Sequence, residues 1–232
     1  MPTSSAPAGP VTPTPRGEQA RQQLIDAAIA LFGAYGTHGA TTRQIASRAG
    51  QNIAAITYYF GSKDGLYLGV VQWIADFIER EFQPLTRDID ALLAQSAPPP
   101  ESCRKAIHRI TRMFAHLLTR DETMDLSRIM SREQLLPTEA FTLLHQRIYA
   151  PLHQRLTGLV ACFAGLDATT ESAIMHTHAM LGEVLSFRIA RETICRRAGW
   201  RTIGQEQTEQ IAQIVTQHID FILYGLRAQH AR

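Results

Sequence analysis

The sequence predicts an all-α protein, and three observations support that fold class. Apolar residues recur every three or four positions along most of the chain. Runs of alternating β-branched residues, which are typical of strands, are absent from the sequence. Glycines, prolines and capping residues lie between the periodic segments, where helices start and stop. At 232 residues the chain is long enough for one large domain or two modest ones.

The chain divides into three regions by composition and periodicity. Residues 1–16 are rich in proline, serine, threonine and alanine, so we expect a disordered arm. Residues 17–63 contain three short periodic runs, which predict a helix-turn-helix domain. Residues 64–232 contain longer periodic runs, which predict the larger helical domain.

Capping residues mark the first two helices. The first helix is predicted from about Gly17 to Tyr35, and Gly36 is a suitable left-handed stop. Thr41 is the expected cap of the second helix, which ends before Gly50.

The remaining helices are separated by proline and glycine. The third helix is predicted over residues 52–60, and Ser62 is the expected cap of the fourth. Pro84 and the stretch SAPPPES interrupt the pattern after the fourth helix, and Pro151 is expected to kink or split a long helix. Asp167 is the expected cap of the helix that follows it. These later helices are predicted at 101–119, 122–132, 138–164, 168–194 and 207–228.

Composition limits the kinds of partner and compartment. A formal net charge of +2 is too small for a polybasic protein that binds by charge alone. Cys103, Cys162 and Cys195 are odd in number and far apart, which predicts buried free thiols in a reducing cytoplasm. The N-terminus lacks the features of a secretory signal, and no run of about eighteen apolar residues exists to cross a membrane. We therefore expect a cytoplasmic protein without a membrane partner.

The third helix has a small, polar outer face. A 100° step per residue places Ile53, Ile56 and Phe60 on the inner side of this helix. The outer face and its borders comprise Gln51, Asn52, Ala54, Ala55, Thr57, Tyr58 and Tyr59. Small side chains let a helix backbone approach base edges in the DNA major groove, where methyl groups contact thymine and amides form hydrogen bonds.

Residues beside the third helix suit the DNA backbone. The hydroxyls of Tyr58 and Tyr59 can donate to phosphates, and Lys63 lies at the start of the next helix. Thr42 and Arg43, in the first turn of the second helix, can hold the other side of the groove. The first 63 residues contain five basic and two acidic residues, a net charge of +3, so the positive charge is concentrated there.

This pattern is also compatible with other functions. Three ordinary packed helices have a polar surface too, and an all-helical adaptor could bind protein only. The adaptor leaves the outward Ala54 and Ala55 unexplained, because protein-binding helices usually present large anchors. An enzyme in the second half would need Glu133, His145 or Cys162 as base or nucleophile. We find no nucleophile elbow, phosphate-binding glycine loop or metal-ligand spacing, so we predict no catalytic residue, no cofactor and no metal.

The first region resembles the helix-turn-helix domain of TetR-family transcriptional regulators. The residues that carry the resemblance are LIDAAIALFGAYGTHGATTRQIASRAGQNIAAITYYFGSKDGLYLGVV. It implies that Thr42 and Arg43 contact DNA, that the helix from Gln51 to Tyr59 enters the major groove, and that Lys63 contacts phosphate. The commoner family form has two aromatics and a histidine where this chain has Thr57, Tyr58 and Tyr59. The role of Thr57, at a base or at the backbone, therefore stays open.

The second region resembles the C-terminal domain of CecR-type TetR regulators. The features are REQ, a proline followed by AF, a later proline after an aromatic, and FR with a downstream GW. The resemblance implies a homodimer whose interface is a four-helix arrangement of the last two long helices. The two helix-turn-helix domains of the dimer would then bind the two half-sites of a palindromic double-stranded DNA operator.

Polar residues on otherwise apolar helices suggest a cavity for a small-molecule effector. Methionine and aromatic walls adapt to ligands of varied shape. We interpret Arg132, Glu133 and Arg188 as structural charges. The candidate effector residues are Met113, Phe114, Leu117, Met130, Phe141, His145, Tyr149, His178 and Phe187.

The leading hypothesis is a transcriptional regulator, in this family most often a repressor, released from its operator when an unknown effector binds the C-terminal domain. The alternative is a constitutive or activating DNA-binding regulator that has no small-molecule effector.

Overall fold

The computed structural model describes residues 15–230, and within that range all regular structure is helical. The all-α prediction is therefore confirmed. A single 3₁₀ turn, Asp121–Thr123, and a π-helical turn, His145–Tyr149, accompany the α-helices. The α-helices are α1 Pro15–Gly39, α2 Thr42–Arg48, α3 Ile53–Phe60, α4 Lys63–Leu93, α5 Pro100–Thr119, α6 Met124–Leu135, α7 Glu139–Leu144, α8 Ala150–Ala164, α9 Glu171–Ile189, α10 Arg191–Ala198 and α11 Gln205–His230.

The helix boundaries differ from prediction at several prolines and caps. The predicted arm falls largely outside the described residues, but Pro15 and Arg16 already belong to α1. A proline is tolerated in the first turn of a helix, because the N–H that it lacks has no partner there anyway. Pro84 lies inside α4, which continues for nine residues beyond it to Leu93. Gly36 has φ of 70°, so the predicted left-handed stop is a kink within α1.

In the second half, one proline and one helix cap bear on the predicted boundaries. Pro151 lies in the first turn of α8, directly after the π-helical turn, so the long predicted helix is split there. The helix that follows is capped by Thr170, whose hydroxyl accepts a hydrogen bond from the Ala173 N–H. The prediction of Asp167 as that cap is wrong, because its carboxylate accepts from the N–H and hydroxyl of Thr169 within the preceding turn.

The chain forms two units, and the boundary between them lies inside α4. The first unit ends at Trp73 and the second begins at Ile74. The sequence pattern places this boundary after residue 63, the first residue of α4.

A small apolar core holds the first unit together. Leu24, Ile25 and Phe32 of α1 are fully buried, as is Ile45 of α2. The Phe32 ring packs edge-on against Tyr67 of α4, with the ring centroids 5.2 Å apart. Because the helices are short, this shared core rather than helix propensity stabilises them.

The second unit has a larger core in which α5, α8, α9 and α11 pack together with the second half of α4. Each of these helices supplies one apolar stripe at helical spacing. The central residues are Ile89, Ile107, Ile110, Leu159, Val160, Phe163, Met180, Val184, Ile211, Val215 and Leu223.

A buried arginine fastens α9 to the end of α5. The Arg188 side chain is only 6% exposed, and its Nη2 donates to the Leu117 and Arg120 carbonyls and to the Thr123 hydroxyl. Burial lowers the pKa of Arg188 to about 10. A cation at a helix C-terminus opposes the negative end of the helix dipole. Arg188 is therefore a structural charge, as the sequence suggested, although it bonds carbonyls and a hydroxyl rather than a carboxylate.

Two cysteines are joined in the structure, which contradicts the expectation of three free thiols. Cys103 of α5 and Cys162 of α8 form a disulfide, with their Cα atoms 6.5 Å apart. Cys195 is free and buried, as predicted. The pair is 59 residues apart in sequence. Only the packing of α5 on α8 brings the two sulfurs together, so their spacing in the chain carries no signal.

None of the helices in residues 15–230 is both long enough and apolar enough to cross a membrane. No group of three or more histidine, cysteine or acidic residues in that range could hold a metal ion.

The disulfide should affect stability in a way that reductant reveals. We expect dithiothreitol to lower the free energy of unfolding by about 2–4 kcal/mol, since the bond restricts the unfolded chain. Urea titrations with and without reductant measure this difference. A variant with Cys103→Ala and Cys162→Ala should be insensitive to reductant, whereas Cys195→Ala should respond as the parent does. Identical parent midpoints in both buffers would show that the thiols are not joined in solution.

Candidate nucleic-acid interface

The turn between α2 and α3 is held by caps on both helices. Thr41 and Gln44 form a capping box at the start of α2: the Thr41 hydroxyl accepts from the Gln44 N–H, and the Gln44 side chain accepts from the Thr41 N–H. Gly50 has φ of 63°, a conformation that favours glycine, and lets the chain reverse between the helices. The Asn52 side chain then caps α3 by accepting from the Ala54 N–H at 2.9 Å. These contacts fix the direction of α3.

One side of α3 is buried and the opposite side is open. Ile56 is 2% exposed and packs into the first unit, while Phe60 is half-buried beneath the Arg21 guanidinium, 5.3 Å from its ring centroid. Tyr58 on the other side is 82% exposed. We define the α3 face as the exposed residues Ile53, Ala54, Thr57 and Tyr58.

The α3 face differs from the predicted face at two positions. Ile53 was expected to point inward, but it is 49% exposed. It is the first residue of α3, after the Asn52 cap, and Ile56 and Phe60 supply the buried contacts. Ala55, expected to point outward, is half-buried. Ile53 is thus a candidate contact residue that the helical-face argument assigned to the core.

The predicted amide contacts already have hydrogen-bond partners within the first unit. The half-buried Gln51 donates through Nε2 to Oε1 of Gln23 on α1, at 2.8 Å. The Asn52 oxygen is engaged as the cap of α3. The Asn52 amide nitrogen retains its donor capacity for a base or phosphate, and Gln51 keeps its second N–H and its Oε1 while bonded to Gln23.

The predicted backbone contacts lie on either side of α3. Arg43 is exposed and Thr42 is half-buried in the first turn of α2. Tyr59 is half-buried, with its ring centroid 4.9 Å from that of Tyr58. Lys63 is half-buried and donates from Nζ to the Ala40 carbonyl at 3.2 Å. An ammonium has three donors, so Lys63 keeps two for a phosphate oxygen.

A separate cavity of about 760 Å³ lies in the second unit. Its walls come from the second half of α4, from α5, from the π-helical turn and from the start of α8. Phe82, Phe114, Ile148 and Leu152 supply apolar surface there. The cavity volume is in the range of small-molecule sites, and the cavity is open to solvent on one side.

The candidate effector residues occupy several places in the second unit. Phe114 lines the cavity, whereas Leu117 is buried in the core and Met113 and Phe187 pack against that core. Met130 is half-buried on α6, and His178 is exposed on α9.

A second group of these candidates lies around the π-helical turn. The rings of His145 and Tyr149 have centroids 5.8 Å and 6.0 Å from that of Phe141. Burial raises the pKa of Tyr149 to about 12, so its hydroxyl stays protonated at neutral pH. The structure thus brings Phe141, His145 and Tyr149 together, beside the turn that carries the cavity residues Arg147 and Ile148.

Two family models match the chain. Residues 24–70 match the family of bacterial regulatory proteins called the tetR family, and residues 103–226 match the C-terminal domain of the HTH-type transcriptional dual regulator CecR. The chain is 53% identical to the CecR regulator of Shigella flexneri over 213 residues, which cover 92% of this chain and 95% of that protein. The chain belongs to the TetR family of transcriptional regulators and is a homologue of CecR.

Other relatives share less of the chain. The BetI regulator of Brucella canis is 37% identical over 81 residues, which cover 35% of this chain and 37% of BetI. The structure of AibR with isovaleryl coenzyme A and operator DNA has a TM-score of 0.63 at 16% identity, covering 85% of this chain and 96% of AibR. The hemolysin II regulator HlyIIR has a TM-score of 0.57 at 17% identity, covering 86% and 98%. These two structures share the fold.

The molecule is therefore a DNA-binding transcriptional regulator with an N-terminal helix-turn-helix unit and a helical C-terminal unit. Its relatives are regulators and not enzymes, in agreement with the prediction from the sequence.

Proposed function

We propose that the protein is a repressor that binds a palindromic operator as a homodimer and leaves it when a small molecule binds the second unit. The observation that carries the DNA-binding mode is the α3 face, which is exposed and which lies in sequence between Arg43 of α2 and Lys63 of α4. A helix with this surface fits the major groove, whose width matches one α-helix.

Each part of the proposed interface has a separate role. The Ile53 and Ala54 side chains contact thymine methyl groups, and Thr57 contacts either a base edge or the backbone. Tyr58, Tyr59, Arg43 and Lys63, together with Thr42, bind phosphates and hold α3 in register. Three more residues lie at the start and border of α3 and adjust how closely the helix approaches the base edges: Gln51, Asn52 and Ala55.

The homodimer is supported by apolar side chains that α9 and α11 leave exposed. Phe221 is 66% exposed and Ile189 is 73% exposed, although their helices also pack in the protomer core. The others are Ile174, Met175, Leu185, Ile214 and Tyr224. Large exposed apolar residues grouped on two helices are typical of a protein–protein interface. A second copy of the chain would cover these helices and place two α3 faces on two half-sites.

The small-molecule response is supported by the cavity in the second unit and by the AibR structure, which contains a coenzyme A thioester and operator DNA. Phe114 is the candidate effector residue that lines this cavity, and Phe141, His145 and Tyr149 lie in or just before the π-helical turn that forms one of its walls. The Shigella flexneri relative is named a dual regulator, so activation by the same DNA-bound dimer is the second candidate function. A regulator of chromosomal genes acts in the cytoplasm, where we place this protein.

Selection of bound duplexes from random DNA tests the DNA-binding proposal as a whole. The expected result is a two-fold symmetric motif with half-site centres one helical turn, about 34–36 Å, or a multiple of it apart. A single unsymmetrical motif, or no enrichment above nonspecific DNA, would contradict the proposal.

Tyr58→Ala should weaken binding to the selected duplex about 5- to 30-fold, since each subunit of the dimer loses a phosphate hydrogen bond of about 0.5–1 kcal/mol, about 1–2 kcal/mol in all. Tyr35 of α1 is 63% exposed, so Tyr35→Ala is the matched control, and its affinity should stay within about twofold of the parent. Fluorescence anisotropy of a labelled duplex measures both variants. Equal losses in the two variants would show that the effect is not specific to α3.

Phe221→Glu should convert the dimer to a monomer, because it places a charge in the apolar interface. Gln205→Glu, in the first turn of the same helix, is the control and should leave the dimer intact. Sedimentation equilibrium gives the mass of each variant. A dimeric Phe221→Glu protein with parent affinity would place the interface elsewhere.

A further inference from the structure

The second half of α4 has an acidic surface that arginines from the rest of the second unit neutralise. Arg147 of the π-helical turn donates to Glu79 and Asp76, both through contacts of 2.8 Å. Arg155 of α8 forms two hydrogen bonds with Asp90, at 2.7 and 2.8 Å. Two further pairs, Arg109 with Asp88 and Arg120 with Glu81, complete the set. The position of α4 in this unit thus depends partly on exchangeable ion pairs.

Two of these arginines also line the cavity. Arg147 and Arg155 both face it, together with the carboxylates of Asp76 and Glu79. Arg80 of α4 lies on the same rim and forms no ion pair with any carboxylate in residues 15–230. The cavity lining therefore contains three guanidinium groups and two carboxylates, an excess of one positive charge.

The arginines are accessible to a competing anion. The side chains of Arg147 and Arg155 are each 28% exposed, while those of Glu79 and Asp90 are 45% and 53% exposed. Exposed ion pairs contribute little net stability, so exchanging one anionic partner for another costs little free energy. The planar guanidinium fork binds a carboxylate, sulfonate or phosphate through paired hydrogen bonds.

The cavity also has an apolar side that can take the body of a ligand. Phe82 and Phe114 are in ring contact, with centroids 5.0 Å apart, and Ile148 and Leu152 complete this side. Arg147 and Ile148 belong to a π-helical turn, a rare conformation that is frequent at functional sites.

We propose that this cavity binds a small amphipathic anion. Its anionic head displaces the α4 carboxylates from Arg147 and Arg155, and its apolar body packs on Phe82 and Phe114. This inference rests on the proposed effector response and specifies its ligand class and its coupling. Loss of the ion pairs changes the polar contacts of the second half of α4, while its Phe82, Leu85 and Ile89 stay in the core.

The test uses two fluorescent probes that differ in charge. The anionic probe is 8-anilinonaphthalene-1-sulfonate, and the neutral probe is N-phenyl-1-naphthylamine, which has the same aromatic body. Each is titrated into the full-length parent and into the variant carrying Arg147→Gln and Arg155→Gln. We expect the dissociation constant of the anionic probe to rise at least about tenfold in the variant, since charge-assisted hydrogen bonds are lost. The neutral probe should change less than about twofold.

Two single variants make the test independent of the stability of that double variant. Asp90→Asn removes the competitor for Arg155 and should tighten binding of the anionic probe about two- to fivefold. Arg109→Gln breaks an exposed ion pair of α4 that does not line the cavity, and it should leave both probes unchanged. Equal changes for both probes in every variant, or no tightening with Asp90→Asn, would overturn the proposal.

The coupling is measured with the duplex obtained from random-DNA selection. Saturating anionic probe should weaken the parent's DNA binding at least about fivefold and should leave the binding of the double arginine variant unchanged. Unchanged DNA binding in the parent, despite arginine-dependent probe binding, would overturn the coupling. Normal DNA binding by every variant without probe would show that the DNA-binding function stands even where this ligand proposal fails.

Discussion

The burial of one side of α3 is the constraint on which the rest of the molecule depends. An eight-residue helix is unstable alone, so Ile56 and the half-buried Phe60 must hold it against the first unit. Gly50 and Gly61, with φ of 63° and 75°, form the turns at its two ends. With its inner side and both ends held in this way, the opposite side can only face outward. The exposure of Tyr58 thus follows from the packing of Ile56.

The helix α4 contributes residues to both units of the chain. Its first residues pack in the unit that carries α3, and its second half carries the carboxylates that bind Arg147 and Arg155. The Arg155 guanidinium holds the pKa of Asp90 below its usual value, because the carboxylate accepts hydrogen bonds from that cation. The pair therefore remains ionised across the physiological pH range. An anion in the cavity must compete with it at every pH at which the protein works.

Local signals in the sequence predicted much of the first unit. The Thr41 cap, the turn at Gly50 and the positions of the first three helices are visible because each depends on residues within a few positions. Ile53 was misplaced because helical periodicity does not show which residue starts the buried stripe. The tertiary contacts of Ile56 and Phe60 decide that.

The second unit was less predictable, because its decisive contacts join distant parts of the chain. Pro84 was expected to break a helix, but α4 continues through it with its core residues Leu85 and Ile89 buried. The disulfide joins residues 59 positions apart, and the Arg147 and Arg155 contacts to α4 span 68 and 65 positions. The acidic residues of the fourth helix and the later arginines can be read from the sequence. Only the folded structure shows which of them pair.

Photocrosslinking from α3 tests the central claim most directly. A benzophenone amino acid is placed at Thr57 on the α3 face, or at Tyr35 as the control, and the dimer is irradiated on its selected duplex. We expect crosslinks to nucleotides of each half-site from Thr57 and none from Tyr35. Crosslinks from Tyr35 alone, or none from Thr57 on a fully bound duplex, would contradict the placement of α3 in the major groove.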